Sequence, residues 1–169
     1  MRCFFALGLD VSTARDVADW RSRALPPFAR PVATDNLHAT LVFLGELTPK
    51  KLREIQHLAA GVMVPRFSLT FDELGYWPKQ EIAYLAPQET PVELESLVAD
   101  LRQVARRSGI KVDKRRFLPH ITLARRCESP PVSSLEAPDF AIEVDSFQLF
   151  ESLRKPEGVV YRELESWHP

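Results

Sequence analysis

The sequence predicts an α+β fold built from antiparallel strands, and three observations support this class. Strand patterns follow one another in pairs. A doubly wound sheet would instead require strands that alternate strictly with helices. Helical patterns interrupt these pairs at three places. A tripeptide pattern, His-x-Thr, occurs twice, 82 residues apart, which indicates two similar lobes within one domain of 169 residues.

The first half of the chain carries the patterns of several strands and a first helix. The predicted strands cover residues 1–10, 37–44, 66–71 and 82–86. The first helix begins at Ser12 or Thr13, because apolar residues then recur at helical spacing. It ends at Ala24, since a pair of prolines follows.

A second helix and a hairpin are predicted next. The helix has Thr48 as its N-cap, Pro49 at its first position and Gly61 beyond its end. Gly75 and Pro78 mark a turn between the strands at residues 66–71 and 82–86. We therefore expect these two strands to pair with each other.

The third helix has the clearest boundaries. Thr90 and Glu93 form the pattern of a capping box, with Pro91 at the first helical position. Leucine and valine then recur at helical spacing until Ser108 and Gly109 end the helix.

The remainder of the chain is predicted to be strands and one long loop. Residues 117–125 form the strand of the second His-x-Thr motif, and Ser129 to Pro138 form a loop. Two further strands, Ile142 to Ser152 and Val159 to Glu165, are joined across residues 156–158.

The composition limits the environment and the partners. The net charge is −1 at pH 7, so the chain as a whole shows no preference for a polyanion. Cys3 and Cys127 lack metal-site spacing, and a reducing, cytoplasmic setting is the simplest interpretation. The apolar run at the N-terminus is too short to span a membrane and lacks a clear cleavage signature.

Positive charge is concentrated around the second His-x-Thr motif. Residues 102–126 hold nine Lys and Arg side chains against a single Asp, a local charge of +8. The cations are Arg102, Arg106, Arg107, Lys111, Lys114, Arg115, Arg116, Arg125 and Arg126. Such a field attracts phosphate groups. For the arginines of the predicted helix a solvated face is an equally good interpretation, whereas Arg125 and residues 114–116 adjoin the motif.

The duplicated motif is the best indication of function. His38-Ala39-Thr40 and His120-Ile121-Thr122 each place an imidazole and a hydroxyl on one face of a strand, because side chains two positions apart project together. Chance gives roughly 0.17 such pairs in this composition. Two imidazoles that titrate near neutrality suit general acid–base catalysis. Two hydroxyls and an arginine can hold a phosphodiester without a metal.

Other interpretations of these residue types are open. A histidine is usually structural, and we assign that role to His57 in the middle of a helix and to His168 near the terminus. A zinc site from His38 and His120 needs a third ligand, which neither motif supplies. Threonine is common on strands because of its β-propensity, so the two threonines are informative only through their pairing with the histidines.

The two motifs resemble those of a known family. Asn36 to Gly45 and Pro119 to Arg125 are similar to the paired motifs of the two-histidine phosphoesterase superfamily, and more narrowly to the RNA 2′,3′-cyclic phosphodiesterases historically called 2′-5′ RNA ligases. The resemblance extends through the opening Arg2 to Leu7 and the closing Phe147 to Ser152, so it covers essentially the whole chain. One departure is Phe150, which stands where the family commonly has a tyrosine.

The resemblance implies a fold and a reaction. The fold is a bilobal α+β domain in which two antiparallel sheets face a central groove, with the helices on the outside. The reaction is hydrolysis of an RNA 2′,3′-cyclic phosphate end to a 2′-phosphate, without metal or cofactor. His38 is then the general acid and His120 the general base, although the similarity of the two motifs leaves these roles exchangeable on the sequence alone.

The resemblance also implies which residues bind the substrate. Thr40 and Thr122 contact the phosphate oxygens, Arg125 neutralises the developing charge and Phe43 stacks on the terminal base. Strict alternation places Phe43 on the face opposite His38, which favours a core position unless a bulge intervenes. The same alternation places Arg125 on the face opposite His120, but its long side chain can reach around to the histidine face more easily.

The expected partners follow from this reaction. They are RNA ends or small nucleotides that carry a 2′,3′-cyclic phosphate, and we expect a monomer that does not bind membranes. The alternatives are a phosphodiesterase acting on another cyclic or 2′-5′-linked nucleotide, reversible 2′-5′ RNA ligation, and a non-catalytic module that binds RNA ends. The presence of both histidines and both threonines argues against the last of these.

Overall fold

A computed structural model describes residues 1–132 and 136–169. Its strands are β1 (Arg2–Gly8), β2 (Arg30–Pro31), β3 (His38–Glu46), β4 (Phe67–Phe71), β5 (Glu73–Trp77), β6 (Ile82–Ala86), β7 (Ile121–Arg125), β8 (Phe140–Val144), β9 (Phe147–Lys155) and β10 (Gly158–Trp167). Its helices are α1 (Val11–Ala24), α2 (Pro49–Ala59) and α3 (Val92–Arg107). A 3₁₀ turn at Thr34–Asn36 leads into β3. No helix in the described part is long and apolar enough to cross a membrane.

The strands form a main sheet composed of two halves. Its order is β10-β9-β1-β3-β7-β6-β5, with β2 also paired to β7, and the pairs are antiparallel. The halves meet where β3 and β7 pair at Ala39 and Ile121. A smaller sheet consists of β4 and β8. The predicted α+β class with antiparallel strands is confirmed.

One face of the main sheet is buried in the core. Ala39, Ile121 and Leu123 are fully buried and belong to the same apolar cluster as Ile55 of α2 and Leu97 of α3. Burial of a side chain of the size of Ile121 or Leu123 contributes roughly 1.5–3 kcal/mol, so the register that places these residues inward is strongly favoured. The alternate residues of β3 and β7, which include the threonines of both motifs, consequently project from the other face.

Several predicted elements are confirmed. β1 lies in the predicted segment, β3 begins within the predicted segment 37–44 and continues two residues beyond it to Glu46, and α2 begins at Pro49 with Thr48 Oγ1 accepting a hydrogen bond from Lys51 N at 3.2 Å. α1 ends at Ala24, and α3 ends before Gly109. The φ of Gly109 is 78°, a left-handed conformation that glycine adopts without steric penalty. The final pair of strands turns at residues 156–157 as predicted. The predicted loop from Ser129 to Pro138 is only partly covered, because residues 133–135 lie outside the described residues.

The starts of α1 and α3 differ from the predictions. α1 begins earlier because the carboxylate of Asp10 caps it, accepting hydrogen bonds from Thr13 N at 2.7 Å and Thr13 Oγ1 at 2.8 Å. The N-cap of α3 is Pro91, whose carbonyl accepts from Leu94 N at 3.1 Å. Thr90 thus precedes the cap, and the predicted capping box does not form.

The predicted hairpin between residues 66–71 and 82–86 is wrong. β4 pairs with β8, and the hairpin partner of β6 is β5, a strand that was expected to be a turn. Gly75 lies inside β5 opposite Tyr84, and a Cβ atom at this glycine would overlap the Tyr84 ring. The glycine therefore marks a close approach of a side chain rather than a turn.

Two predicted strands have different boundaries in the structure. The strand predicted at residues 117–125 begins at Ile121, because Pro119 has no N–H to donate to a sheet. The strand predicted at residues 142–152 is divided at Asp145 and Ser146 into β8 and β9, which belong to different sheets. The division follows from the partners of the two strands, because β8 pairs with β4 and β9 pairs with β1.

Candidate active site

The meeting point of β3 and β7 brings the two motifs together. Ala39 pairs with Ile121, so continuing the antiparallel register by one residue in each direction sets His38 opposite Thr122 and Thr40 opposite His120. All four side chains are half-buried. The structure thus unites two imidazoles and two hydroxyls that lie far apart in sequence.

The two imidazoles are held in the same way. The Nδ1–H of His38 donates to the carbonyl of Asn36 at 2.7 Å, and that of His120 donates to the carbonyl of Leu118 at 3.0 Å. A carbonyl only accepts hydrogen bonds, which assigns the proton of each neutral ring to Nδ1. In both rings Nε2 is therefore the atom that can take up or release a proton. Thr40 Oγ1 lies 2.8 Å from Nε2 of His38.

Asn36 also ties His38 to the far strand of its lobe. The Asn36 side chain is buried, its Nδ2 donates to Val159 O at 2.8 Å, and its Oδ1 accepts from Tyr161 N at 3.3 Å. The ring of Tyr161 packs edge-on against His38, with 5.0 Å between ring centroids. At the equivalent position of the second motif Leu118 is 60% exposed, so only the first motif has this anchor to β10.

Each imidazole packs against aromatic rings. Phe4 lies 5.1 Å from His38 between centroids, while Trp77 and Tyr84 lie 4.9 Å and 5.9 Å from His120. Trp77 and Tyr84 stack on each other at 4.0 Å. The sequence patterns do not reveal Trp77, because Gly75 and Pro78 predict a turn in its segment, and they place Tyr84 on a strand without assigning it a role. The alternation around residues 82–86 was the available signal for Tyr84.

Matching β-bulges bring Phe43 and Arg125 to the histidine face. Thr40 and Val42 of β3 face consecutive residues of β1, and Thr122 and Ala124 of β7 face consecutive residues of β6. Each strand therefore holds one extra residue three positions after its histidine, and this reverses the alternation that follows. The expectation that Phe43 belongs in the core is thus wrong.

Exposure and electrostatics agree with this placement. Phe43 is 68% exposed, and its ring lies 6.2 Å from that of Phe4, which contacts His38. The charge of Arg125 acts on both His38 and His120. Phe43 and Arg125, two of the four residues predicted to bind the substrate, therefore lie on the side of the sheet that carries the imidazoles.

The environment lowers the pKa of both histidines below the ordinary value. Burial is the largest cause in each, because it disfavours the charged imidazolium. Arg125 lowers both pKa values further, and His120 lowers that of His38. The bonds to the Asn36 and Leu118 carbonyls act in the opposite direction. In the free protein both rings are therefore neutral over a wider pH range than an exposed histidine.

The remaining candidates lie elsewhere. His57 is exposed on α2, and His168 Nε2 lies 3.1 Å from Ser166 Oγ at the end of the chain. Cys3 and Cys127 are free and buried, and burial raises the pKa of Cys3 to about 11. Across residues 1–132 and 136–169, no three His, Cys, Asp or Glu side chains are grouped as metal ligands.

Two cavities adjoin the histidines and differ in charge. We call the first the acidic arm; it is lined by His38, Tyr161 and three carboxylates, those of Asp10, Asp35 and Glu163. We call the second the basic arm; it has a volume of about 610 Å³ and is lined by Thr40, His120, Phe43, Trp77 and the cations Arg102, Arg115 and Arg116. Because His38 and Thr40 share a hydrogen bond, the histidine pair lies between the two arms.

Comparison with known proteins identifies the family. Residues 7–84 and residues 85–161 each match the family described as LigT like Phosphoesterase. The chain belongs to this family. Each match contains one His-x-Thr motif, so the two lobes of this LigT-like phosphoesterase correspond to two copies of one unit.

Full-length relatives support the assignment. The chain is 36% identical over 169 residues to the RNA 2′,3′-cyclic phosphodiesterase of Escherichia coli (strain K12), covering 98% of this chain and 95% of the relative. The crystal structure of E. coli LigT complexed with 3′-AMP has a TM-score of 0.89 and 35% identity, covering 99% of this chain and 97% of the other. The complex with NADP⁺ has a TM-score of 0.88 and 34% identity, covering 99% and 96%. The predicted bilobal phosphoesterase fold is confirmed, and the two sheets expected on either side of the groove are joined into one main sheet by the pairing of β3 with β7.

Proposed function

We propose that this LigT-like phosphoesterase hydrolyses RNA 2′,3′-cyclic phosphate ends to 2′-phosphates. The observation that carries the proposal is the pair of imidazoles on one face, each with Nδ1–H bound to a backbone carbonyl and Nε2 left for proton transfer. The reaction needs one proton removed and one supplied at the same phosphorus atom, which two such rings can do. The activity of the E. coli relative agrees with it.

The reaction proceeds as an acid–base displacement at phosphorus. Nε2 of neutral His120 accepts a proton from water, and the water oxygen forms a bond to phosphorus. The bond between phosphorus and the 3′ oxygen breaks, and Nε2–H of protonated His38 donates its proton to that oxygen. The product has a 2′-phosphate and a free 3′-hydroxyl. This assignment of acid and base follows the family resemblance.

Binding of the cyclic phosphate uses the groups around the imidazoles. The hydroxyls of Thr40 and Thr122 donate to the non-bridging oxygens, and Arg125 neutralises charge that develops on them. Phe43, exposed beside the site, stacks on the terminal base. We propose that the protein needs no metal or cofactor for this and acts as a monomer. The free, buried Cys3 and Cys127 favour action in the cytoplasm.

The test is product analysis with a defined RNA. A short oligonucleotide ending in 2′,3′-cyclic phosphate is incubated with the protein in EDTA, and the product is identified by ³¹P NMR and by resistance of the phosphate to a 3′-specific phosphatase. We expect a 2′-phosphate end, formed at the same rate without chelator.

Three results contradict the proposal in different ways. A 3′-phosphate product means that the 2′ oxygen leaves instead. Tight binding without turnover indicates a module that binds RNA ends. Loss of activity in EDTA, restored by zinc or magnesium, replaces the pair of imidazoles by a metal-bound water as the source of the nucleophile.

A further inference from the structure

The basic arm extends away from the histidines toward the C-terminal part of α3. Its wall includes Thr40 and His120 at one end, and Arg102 of α3 with Arg116 of the following segment at the other. Its volume of about 610 Å³ is within the range of sites that enclose whole ligands. The space is therefore larger than the cyclic phosphate alone requires.

The charges in the basic arm favour phosphate groups. Its one carboxylate, that of Asp113, is paired with Arg115, whose Nε lies 2.9 Å and whose Nη2 lies 2.6 Å from Asp113 Oδ2. Arg102 is oriented by donating from Nη2 to the carbonyl of Arg115 at 3.1 Å. The charge of Arg102 also acts on Asp113, but three arginines face this single carboxylate, so the described residues lining this arm keep a net positive charge.

Aromatic surfaces in the same arm favour bases. The ring of Phe43 is 68% exposed, and Trp77, which lines the arm, stacks on Tyr84. A cationic groove with aromatic faces is the arrangement that binds single-stranded nucleic acid, because bases stack on the rings while arginines contact the phosphates. The acidic arm has the opposite character, with carboxylates and no Lys or Arg among its described lining residues.

We propose that the RNA strand on the 5′ side of the cyclic phosphate lies in the basic arm, with its phosphates against Arg102 and Arg116. This inference rests on the proposed function and adds the length of the substrate to it. The protein acts on oligonucleotide ends in preference to a free cyclic mononucleotide. The carboxylates of the acidic arm repel the phosphates of an RNA strand, so the 5′ part of the RNA extends into the basic arm and not into the acidic arm.

The experiment compares two substrates in charge-matched variants. The value of kcat/KM is measured for 2′,3′-cyclic AMP and for a tetranucleotide ending in 2′,3′-cyclic phosphate. The test variant carries Arg102→Gln and Arg116→Gln. The control variant carries Arg106→Gln and Arg107→Gln, which remove the same charge from exposed positions at the end of α3 that do not line the arm. Thermal melting verifies that both variants fold.

The expected result is a loss specific to the longer substrate. The ratio of the two kcat/KM values, tetranucleotide over mononucleotide, falls on the order of tenfold in the test variant and is unchanged in the control. The slope of log kcat/KM against log salt for the tetranucleotide becomes shallower by about 1.4, because two phosphate contacts are lost.

Other outcomes overturn the inference. They are an equal rate for both substrates in the parent protein, an equal loss on both substrates in the test variant, or the same loss in the control variant. If the parent protein hydrolyses neither substrate, the proposed function fails, and placement of the strand is tested separately. Fluorescence anisotropy of a 2′-phosphorylated tetranucleotide must then still show weaker binding to the test variant than to the control.

Discussion

The orientation of each imidazole is set by the backbone two residues before it. The carbonyls of Asn36 and Leu118 accept from Nδ1–H of His38 and His120, so the ring nitrogen available for proton transfer is the same in both. A backbone acceptor cannot be removed by substitution of a side chain. The backbone anchor of each ring therefore survives substitution of the neighbouring threonine, while Thr40→Ala also removes the contact of Thr40 Oγ1 with Nε2 of His38.

Removing either imidazole should remove most of the turnover. His38→Ala and His120→Ala each delete one of the two proposed proton-transfer partners, and we expect kcat/KM on the cyclic-phosphate oligonucleotide to fall by a factor on the order of 10²–10⁴. The matched control is His57→Ala on the exposed side of α2, with an expected rate equal to the parent's. Near-parental activity in either site variant, with an unchanged melting temperature, would rule out the two-histidine mechanism.

The threonine hydroxyls should contribute less than the imidazoles. In the proposed mechanism Thr40→Ala and Thr122→Ala each remove one hydrogen bond to a charged phosphate, and we expect a loss of about 1.5–3 kcal/mol in transition-state stabilisation, read from kcat/KM. Thr→Ser at the same positions keeps the hydroxyl and should recover most of the rate. Thr70→Ala on β4 controls for the loss of a β-branched residue. If serine is no better than alanine, the threonines serve only the sheet.

At the scale of the elements, β-bulges decide which side chains reach the site. The extra residue three positions after each histidine, Leu41 in β3 and Leu123 in β7, is buried together with its successor. Phe43 and Arg125 consequently take equivalent places, each five residues after a histidine. The two lobes thus repeat one structural unit. They differ at the fifth residue after the histidine, which is an aromatic ring in the first lobe and a cation in the second.

The aromatic wall beside His120 depends on a glycine in the neighbouring strand. In Gly75→Ala the new Cβ would overlap the ring of Tyr84, which must move away from Trp77 and His120. We expect about 1–3 kcal/mol of lost stability by chemical denaturation and a lower kcat/KM. In Gly61→Ala, which has ordinary contacts and no positive φ, we expect neither effect. Parental stability and rate in Gly75→Ala would show that Tyr84 can move away from Trp77 and His120 without loss of stability or activity.

The whole molecule combines charges from distant elements at one point. Burial between the lobes and the positive charge of Arg125 lower the pKa values of both imidazoles, and these groups come from the two separate lobes. In the proposed reaction the anionic phosphate of the substrate offsets that positive charge. We therefore expect the protonated form of the proposed general acid to be easier to populate with substrate present than in the free protein.

The pH dependence should show this coupling. The low-pH limb of kcat/KM reports the base, which must be neutral, and the high-pH limb reports the acid, which must be protonated. Because both pKa values are lowered, we expect a bell with its maximum below about pH 6.5. The bell for kcat, which reports the bound complex, should lie at higher pH.

The variant Arg125→Gln tests whether the charge of Arg125 causes the shift of the kcat/KM bell to low pH. Loss of this cation should raise both pKa values and move the kcat/KM bell to higher pH, in addition to lowering the rate. NMR titration of the two imidazoles in the free protein checks the same shift without turnover, and Arg126→Gln is the matched control. A bell that does not move would mean that Arg125 is remote from both rings.

Much of the molecule was predictable from local patterns. The helices α1, α2 and α3, the strands around the two motifs and the face shared by each histidine and its threonine follow from spacings of two to four residues. These periodicities are imposed by neighbouring residues, and a buried face enforces them. The pairing of the two motifs in one site also followed, because a duplicated pattern of rare residues in one domain indicates a shared role.

Only the tertiary structure decided the rest. The partner of β4, the strand character of residues 73–77 and the division of residues 142–152 depend on contacts between residues far apart in the chain. Phe43 and Arg125 reach the site through bulges that exist only because β1 and β6 pair with β3 and β7 in a shifted register. The aromatic walls and the two oppositely charged arms arise likewise, since they join side chains from elements whose proximity no local periodicity specifies.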